Sequence, residues 1–453
     1  MKNILLTICT VLFLTQQLAF AGTHFNLFEK NIKDSNIAKG GISISFKEVD
    51  TRNVVKNYNA EMQISPASTQ KVLTYLPTLK TLGENYKFST ELYKTKDNKY
   101  YLKLGADPYL TYDKLKDLMA NIKLKNDEAL QVMYIDDTIL DNVHWGEGWQ
   151  WDDKLNVSMP KFGAYNLDGN LYNIVAVANK VNSPARIFTE VFYPTSFINN
   201  TVSTKDVNNI QINTDETLPN NVLIVNGMVS SSIKTTIPVD NIKRYFKLRL
   251  ADAIRENKII FTGKYSCAKV PSNATLVAKI ETPIKNANTD VLKNSSNMIS
   301  ETTYKLAGGK FKKTTGNINS AVEMFNSFCA QNNLDCSSVK LTDGSGVSKN
   351  NLVTADFMTD YLVTINKVYG KEKLNSLLAK PGEGTLNMRL LSLKDNLHAK
   401  TGTLSNISGI IGYLDAKSGK RYAFAIYETD GKAKMSDMKL FEDFIIKEAY
   451  NKL

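Results

Sequence analysis

The chain has 453 residues, 43% hydrophobic and 22% charged, which excludes a disordered or fibrous protein and is too long for one small core, so two or more packed domains are expected. Its 56 lysines and arginines against 45 acids leave a net charge of +11, spread along the chain rather than gathered in one tail, which favours anionic partners. No basic stripe interleaved with aromatics points to nucleic acid; three histidines and, beyond Cys9, three cysteines with no Cys-x-x-Cys argue against a zinc site, and no metal or cofactor is expected.

Residues 1–21 carry Lys2, an apolar run from Ile4 to Leu14 and the small-x-small string Ala19-Phe20-Ala21, the pattern of a cleaved secretory signal. The mature chain is then expected to begin at Gly22 and to be exported to the periplasm, soluble or peripherally membrane-associated. An uncleaved anchor is the alternative, but the run is short for a bilayer. Cys9 falls inside this segment, which leaves Cys267, Cys329 and Cys336; Cys329 and Cys336 are the candidate disulfide pair in an oxidising compartment.

Ser65-Pro66 reads as a helix start, and Val72, Leu73, Leu76, Leu79 and Leu82 follow at helical spacing before Gly83 stops it. Pro77 predicts a kink two turns beyond Ser68 that spares the first turn. There Ser68 and Lys71 share one face, so the lysine can reach the hydroxyl. A serine hydroxyl is a poor nucleophile until a base takes its proton. For Lys71 to do so near neutral pH, its pKa must fall by roughly three units, about 4 kcal/mol, which burial and a second cation such as Lys400 can supply.

From about residue 85 the pattern changes. Phe88 to Thr95 and Tyr100 to Leu104 read as a hairpin, and Leu115, Leu118, Met119 and Ile122 as a short amphipathic helix. The Asn-, Thr- and Ser-rich stretch 198–221, with strands on either side, suits a smaller nested β domain at about 170–225. Asp290 to Leu306 reads as helical segments around a break that holds Ser295, Ser296 and Asn297. Ser320-Ala321-Val322-Glu323 reads as a capping box opening a helix through Phe328.

Ala399–Leu404, Ile407–Leu414 and Arg421–Tyr427 read as three strands. On the first, Lys400 and Thr401 can hold a terminal carboxylate while an extended peptide pairs with the strand edge, and Gly402 lets it approach closely. The backbone N–H groups of Ser68 and Thr403 would form an oxyanion hole. His398 suits packing or capping. Met438, Phe441, Phe444, Ile445 and Ala449 give the last helix an apolar face, better suited to a sheet than to lipid.

Taken singly, Ser68 and Lys71 fit a solvated helix face, Asn297 a turn, and Lys400-Thr401-Gly402 a hairpin end. In this order, Ser68-Thr69-Gln70-Lys71, Ser295-Ser296-Asn297 and Lys400-Thr401-Gly402 resemble the Ser-x-x-Lys, Ser-Asp-Asn and Lys-Thr-Gly motifs of active-site serine penicillin-binding proteins and class A β-lactamases. Asp343-Gly344-Ser345-Gly346-Val347-Ser348 is similar to the Asp-Gly-Ser-Gly-Leu-Ser string of the D-alanyl-D-alanine carboxypeptidase/endopeptidase family, the class C low-molecular-mass penicillin-binding proteins. Gly105–Pro108, Asp136–Thr138, Gly148–Trp151 and Gly382–Leu386 resemble segments of that family in the same order. Val347 and Ser296 depart from its pattern without removing a group the chemistry needs.

The resemblance implies an α+β fold. A transpeptidase-like domain, an antiparallel sheet flanked by helices, would hold residues 22–84 and 282–453 and be interrupted by a mostly β accessory domain at 85–281. It also implies a serine DD-carboxypeptidase and DD-endopeptidase that cleaves D-Ala-D-Ala termini and D-Ala cross-links of peptidoglycan through an acyl-enzyme and is trapped by β-lactams. Ser68 would attack, Lys71 take its proton, Ser295 and Asn297 relay protons and hold the substrate amide, and Lys400, Thr401, Gly402 and Thr403 bind the substrate. Asp168 and Lys349 match positions that bind the stem-peptide side chain; otherwise they are solvated loop residues. Stem peptides and β-lactams are the expected partners, with peripheral contact to the membrane or anionic wall polymers.

Two other readings compete. A serine β-lactamase would share the acylation groups, and Glu383-Gly384-Thr385-Leu386-Asn387 fits the Glu-x-x-Leu-Asn string that positions water in class A enzymes, although its nearness to Lys400 in sequence favours a structural segment. A non-catalytic peptidoglycan-binding protein would keep the fold.

Overall fold

The computed structural model describes residues 28–125 and 128–453; the signal segment read at 1–21 lies outside them. In chain order, α1 (Glu29–Asp34), β1 (Ile42–Glu48), β2 (Val54–Tyr58), α2 (Gln70–Leu82), β3 (Lys87–Lys94), β4 (Tyr100–Lys103), α3 (Tyr112–Met119) and β5 (Met133–Asp136) come first. Then follow β6 (Leu171–Val177), β7 (Arg186–Thr189), β8 (Ser196–Ser203), β9 (Asn209–Asn213), β10 (Val222–Val229), β11 (Ser232–Pro238), α4 (Ile242–Glu256), β12 (Tyr265–Cys267) and β13 (Thr275–Pro283). The chain ends with α5 (Lys285–Leu292), α6 (Asn297–Lys312), α7 (Ile318–Gln331), α8 (Ala355–Tyr369), α9 (Lys371–Leu377), β14 (Leu397–Leu404), β15 (Ile407–Asp415), β16 (Arg421–Thr429) and α10 (Met435–Lys452).

Two compact units result. Among the described residues, the first takes 28–74, Asn288–Ser295 and Phe325–Leu453; the second takes 75–125, 128–287 and Ser296–Met324. The division runs through α2 and α7 and places 296–324 with the inserted stretch. Side chains of α6 explain this: Thr302 accepts a 3.3 Å bond from the Asn166 amide, and Lys305 pairs with Asp141.

The first unit is built on one antiparallel sheet in the order β14-β15-β16-β1-β2. The first eight residues of β15 and of β16 are all buried, because both sheet faces are covered and no alternation is needed. On one face Phe46, Ile410, Leu414, Phe424 and Ile426 cluster with Met438, Phe441, Ile445 and Ala449 of α10. Toward α8, the hydroxyls of Ser45 and Thr359 share a 2.8 Å bond, and Tyr413 donates to the Leu362 carbonyl at 2.7 Å. Phe444, assigned from spacing to the packed face of α10, is instead 55% exposed, and Glu442 is fully buried. The helix is turned because Glu442 accepts from Ser408 at 2.6 Å and pairs with Arg389 at 2.7 Å. The start of α7 also differs from its expected capping box. Asn317 is the capping residue, accepting from Ser320 N at 2.9 Å while Ser320 Oγ accepts from Asn317 N at 3.2 Å.

Cys267, Cys329 and Cys336 are all free thiols; Cys329 is buried, and burial together with Cys336 pushes its pKa up.

In the second unit, sheets β12-β5-β4-β3-β13, β11-β6-β7 and β8-β10-β9 surround a core in which Leu92, Leu102, Met133 and Ile135 meet Leu115 and Met119 of α3 and Phe246, Leu250 and Ile254 of α4. The polar stretch 198–221 contains strand β9 and most of β8 rather than lying between strands. Asn200, Asn209 and Asn213 sit on one exposed sheet face, where the Asn200 amide donates to Asn226 at 3.1 Å, and Phe197 and Ile212 lie on the other, so alternation suffices to form strands.

Candidate active site

Ser68 lies in a 3-10 turn, Ala67–Thr69, that leads into α2, and not on the helix itself. Ala67 takes a left-handed φ of 49°, a costly conformation for a residue with a Cβ, and it presents the next residue, half-buried Ser68. The tight turn still keeps Ser68 and Lys71 together: Lys71 Nζ donates to Ser68 Oγ at 2.8 Å. Lys71 is fully buried and donates a second bond of 2.8 Å to the Ser345 carbonyl. Pro77 is accommodated within α2.

That carbonyl belongs to the Asp343–Ser348 loop, which the sequence marked only by resemblance. Buried Asp343 holds the loop by accepting from Gly346 N at 2.8 Å, Ser348 N at 2.6 Å and the Asn351 amide at 2.9 Å. Gln70, the first residue of α2, donates to the Asp343 carbonyl at 2.6 Å. A Cβ on Gly346 would fall 1.9 Å from the Ala67 carbonyl oxygen at a φ of 85°, so only glycine permits the loop to lie against the Ser68 turn. Lys349 follows, exposed, at the loop's end.

A second serine–lysine pair completes the cluster. Ser295 sits in the break between α5 and α6 with a left-handed φ of 65°, and Lys400 on β14 donates to its Oγ at 2.9 Å and to the Thr401 carbonyl at 2.7 Å. Burial, and after it the charge of Lys71, hold the Lys400 ammonium well below the usual lysine range. Gly402 passes so near the nucleophile that a Cβ there would lie 2.9 Å from Ser68 N. Thr401 is half-buried and Thr403 exposed on the same strand. The first unit thus brings together Ser68, Lys71, Ser295, Lys400, Thr401 and Gly402. His398, two residues before Lys400, is buried, and burial lowers its pKa.

Glu383 is committed elsewhere. Its carboxylate accepts from Lys293 at 2.8 Å, which holds its pKa below the usual range. Thr385 N donates to the Lys293 carbonyl at 3.1 Å, and Thr385 Oγ1 lies 2.7 Å from Thr401 Oγ1. The 383–385 segment therefore ties the turn carrying Ser295 to the strand carrying Lys400. The sequence reading anticipated a structural segment here but not its two anchor points.

Asn297 and Asp168 belong to the second unit. Asn297 opens α6 and donates to the Ser158 carbonyl at 2.9 Å, while Ser296, the departure from the family motif, caps the helix by accepting from Ile299 N at 3.4 Å. Asp168 is not a solvated loop residue. It begins a run of three left-handed residues, with φ of 52° at Asp168, 66° at Gly169 and 57° at Asn170. Its carboxylate accepts from Tyr112 N at 2.8 Å and from the Tyr245 hydroxyl at 3.4 Å, and burial raises its pKa. Buried Asn170 secures the turn by donating to the Lys161 carbonyl at 2.7 Å and to Asn166 at 2.9 Å; the sequence reading missed both asparagines. Among the described residues, no three His, Cys, Asp or Glu side chains are grouped to hold a metal ion.

The model of the D-Ala-D-Ala carboxypeptidase 3 (S13) family matches residues 26–444. The D-alanyl-D-alanine carboxypeptidase DacB of Haemophilus influenzae is 24% identical over 443 residues, covering 90% of this chain and 91% of the relative. The D-alanyl-D-alanine carboxypeptidase of Actinomadura sp. (strain R39) is 22% identical over 412 residues, covering 83% and 76%. Penicillin binding protein 4 (dacB) from Haemophilus influenzae shares the fold, with a TM-score of 0.80 at 23% identity over 92% of this chain and 98% of that one.

Proposed function

The chain belongs to the D-Ala-D-Ala carboxypeptidase 3 (S13) family, and on that premise we propose that it is a serine DD-carboxypeptidase and DD-endopeptidase acting on peptidoglycan stem peptides. The observation that carries this reading is the buried Lys71 side-chain nitrogen 2.8 Å from the Ser68 hydroxyl. Two buried lysines in one cluster repel, which favours a neutral amine able to accept a proton. Ser68 Oγ attacks the carbonyl carbon of the D-Ala–D-Xaa bond, and its proton passes to Lys71. The backbone N–H groups of Ser68 and Thr403 hold the oxyanion. As the C–N bond breaks, Ser295 relays a proton to the leaving amine, and Lys400, Thr401 and Thr403 bind the terminal carboxylate. Water then attacks the acyl-enzyme and restores Ser68.

The motif assigns the substrate amide to Asn297, and the family pattern assigns the stem-peptide side chain to Asp168 and Lys349. β-Lactams are proposed to acylate Ser68, in keeping with the solved complex of Haemophilus influenzae penicillin binding protein 4 with a β-lactam. The segment at 1–21 supports export to the periplasm, where peripheral contact with the membrane or anionic wall polymers is proposed.

The test is to incubate the purified protein with monomeric and cross-linked muropeptides and follow D-alanine release and cross-link loss by chromatography. Wild type should yield both products, and Ser68→Ala neither, with its covalent labelling by fluorescent penicillin abolished. Persistent labelling of Ser68→Ala would overturn the assignment of the nucleophile.

A further inference from the structure

Residues 241–269 carry eight basic side chains, Lys243, Arg244, Lys247, Arg249, Arg255, Lys258, Lys264 and Lys269, against the two acids Asp252 and Glu256. The charge that looks evenly spread along the chain is therefore concentrated here, and the fold sorts it by face. Tyr245, Phe246, Leu250, Ala253 and Ile254 of α4 are buried in the core of the second unit, which fixes the helix rigidly. Arg249 turns inward, stacked 3.6 Å from the Tyr112 ring centre and paired with Asp252 at 2.9 Å. Lys243, Arg244, Lys247 and Arg255 line an open groove of about 470 Å³ with Leu248 and Tyr265, and among the described residues no carboxylate lines it.

Lys243 is neutralised, paired with Asp137 at 3.2 Å and held over the Tyr165 ring, and the other three are not closely paired. Arg255 reaches Asp252 only at 4.0 Å. Arg244 and Lys247 have no carboxylate partner among the described residues. The loop that follows α4 adds an apolar element: Ile260 is 63% exposed, between the exposed lysines Lys258 and Lys264, and Gly263 of the same loop lines the groove.

We propose that this face of α4, with the Lys258–Lys264 loop, docks the protein on the surface of an anionic phospholipid bilayer. Charge complementarity selects an anionic partner, since Arg244 and Lys247, with Arg255 only loosely paired, suit a dense array of phosphates. The exposed isoleucine between lysines selects a bilayer over a soluble polyanion, because only a bilayer offers an apolar layer directly beneath its phosphates. Each lysine or arginine near such a surface strengthens partitioning about fivefold. The inference gives a location and a chemistry to the peripheral contact proposed above and rests on the reading of the chain as exported; it does not depend on the peptidase assignment.

The experiment is cosedimentation of the full protein with vesicles of phosphatidylglycerol and phosphatidylethanolamine, or of phosphatidylcholine alone, at low and high salt. Wild type should bind the anionic vesicles, release at high salt, and ignore the neutral ones. The triple variant Arg244→Glu/Lys247→Glu/Arg255→Glu should lose at least about 100-fold in partitioning. A control of equal charge change on the other unit, Lys394→Glu/Lys417→Glu/Lys432→Glu, should stay within about twofold of wild type. Ile260→Ser should weaken vesicle binding several-fold and leave binding of soluble polyphosphate unchanged. The proposal is overturned if wild type does not bind anionic vesicles, if the control loses as much as the groove variant, or if Ile260→Ser binds vesicles as wild type does. Fluorescent penicillin labelling of every variant reports folding and the peptidase reading separately, so failure of one claim is not confused with failure of the other.

Discussion

Lys71 and Lys400 are both fully buried, and the charge of Lys71 adds to burial in depressing the Lys400 pKa. The interaction is mutual, because each ammonium raises the cost of protonating the other.

Lys400→Ala removes a buried cation from the cluster, so Lys71 should hold its proton more tightly. The acidic limb of kcat/KM against pH should then move to higher pH, since the neutral amine appears only after a higher pKa is passed. KM for a D-Ala-D-Ala peptide should rise as well, through loss of the carboxylate contact. A full pH–rate profile checks both, and an unmoved acidic limb would remove Lys400 from the argument about Lys71.

The clamp made by Glu383 and Thr385 predicts a positioning effect. Glu383→Gln loses the 2.8 Å ion pair to Lys293 and should slow penicillin acylation by about threefold to tenfold while leaving deacylation nearly unchanged. Stopped-flow acylation, followed by chase of the labelled enzyme with unlabelled drug, separates the two steps. Rapid release by wild type that disappears in Glu383→Gln would instead support a β-lactamase.

Asp168→Asn keeps an acceptor for Tyr112 N and removes the charge. The proposed contact with the stem-peptide side chain then predicts an increase in KM of about tenfold for a substrate with a free side-chain amine, with penicillin acylation unaffected. Equal kinetics on substrates with free and acetylated amines, in wild type and variant alike, would confine Asp168 to its structural bonds.

A last prediction concerns the carboxyl pair under β16. Both oxygens of Glu428 are buried, and among the described residues only the neighbouring Glu442 carboxyl can share a proton with them; burial first, then the charge of Glu442, raise the Glu428 pKa well above the usual carboxylate range. Glu442 is raised too, chiefly by burial, against the lowering effect of Arg389. A carboxyl whose folded pKa is raised favours the folded state fully below the unfolded value of 4.5 and loses that contribution as pH climbs toward the folded pKa. Glu428→Gln cannot lose a proton and brings a donor to Glu442, so at pH 7 it should stabilise the protein by about 1–3 kcal/mol. Its advantage should vanish at pH 4, as denaturant unfolding at the two pH values will show.

Local spacing was enough for several features. Three residues of one turn hold Ser68 and Lys71 together whether the turn is α or 3-10, because backbone geometry alone sets that reach. The three strands around Lys400 and the break around Ser295 were legible for the same reason, as runs of apolar residues and interruptions in them. The family motifs added the order of the parts. Tertiary structure decided what closes over long sequence distances: Lys400 on Ser295, the Ser345 carbonyl on Lys71, Gly402 and Gly346 against the nucleophile turn, and Lys293 on Glu383. None of these bonds has a local signature, since each depends on sheet register and on which loop is buried beneath which strand. The same limit explains α10, where spacing placed Phe444 inside and Glu442 outside. A polar partner set, Ser408 and Arg389, outweighed one aromatic side chain and turned the helix, and periodicity cannot see a partner contributed by another element.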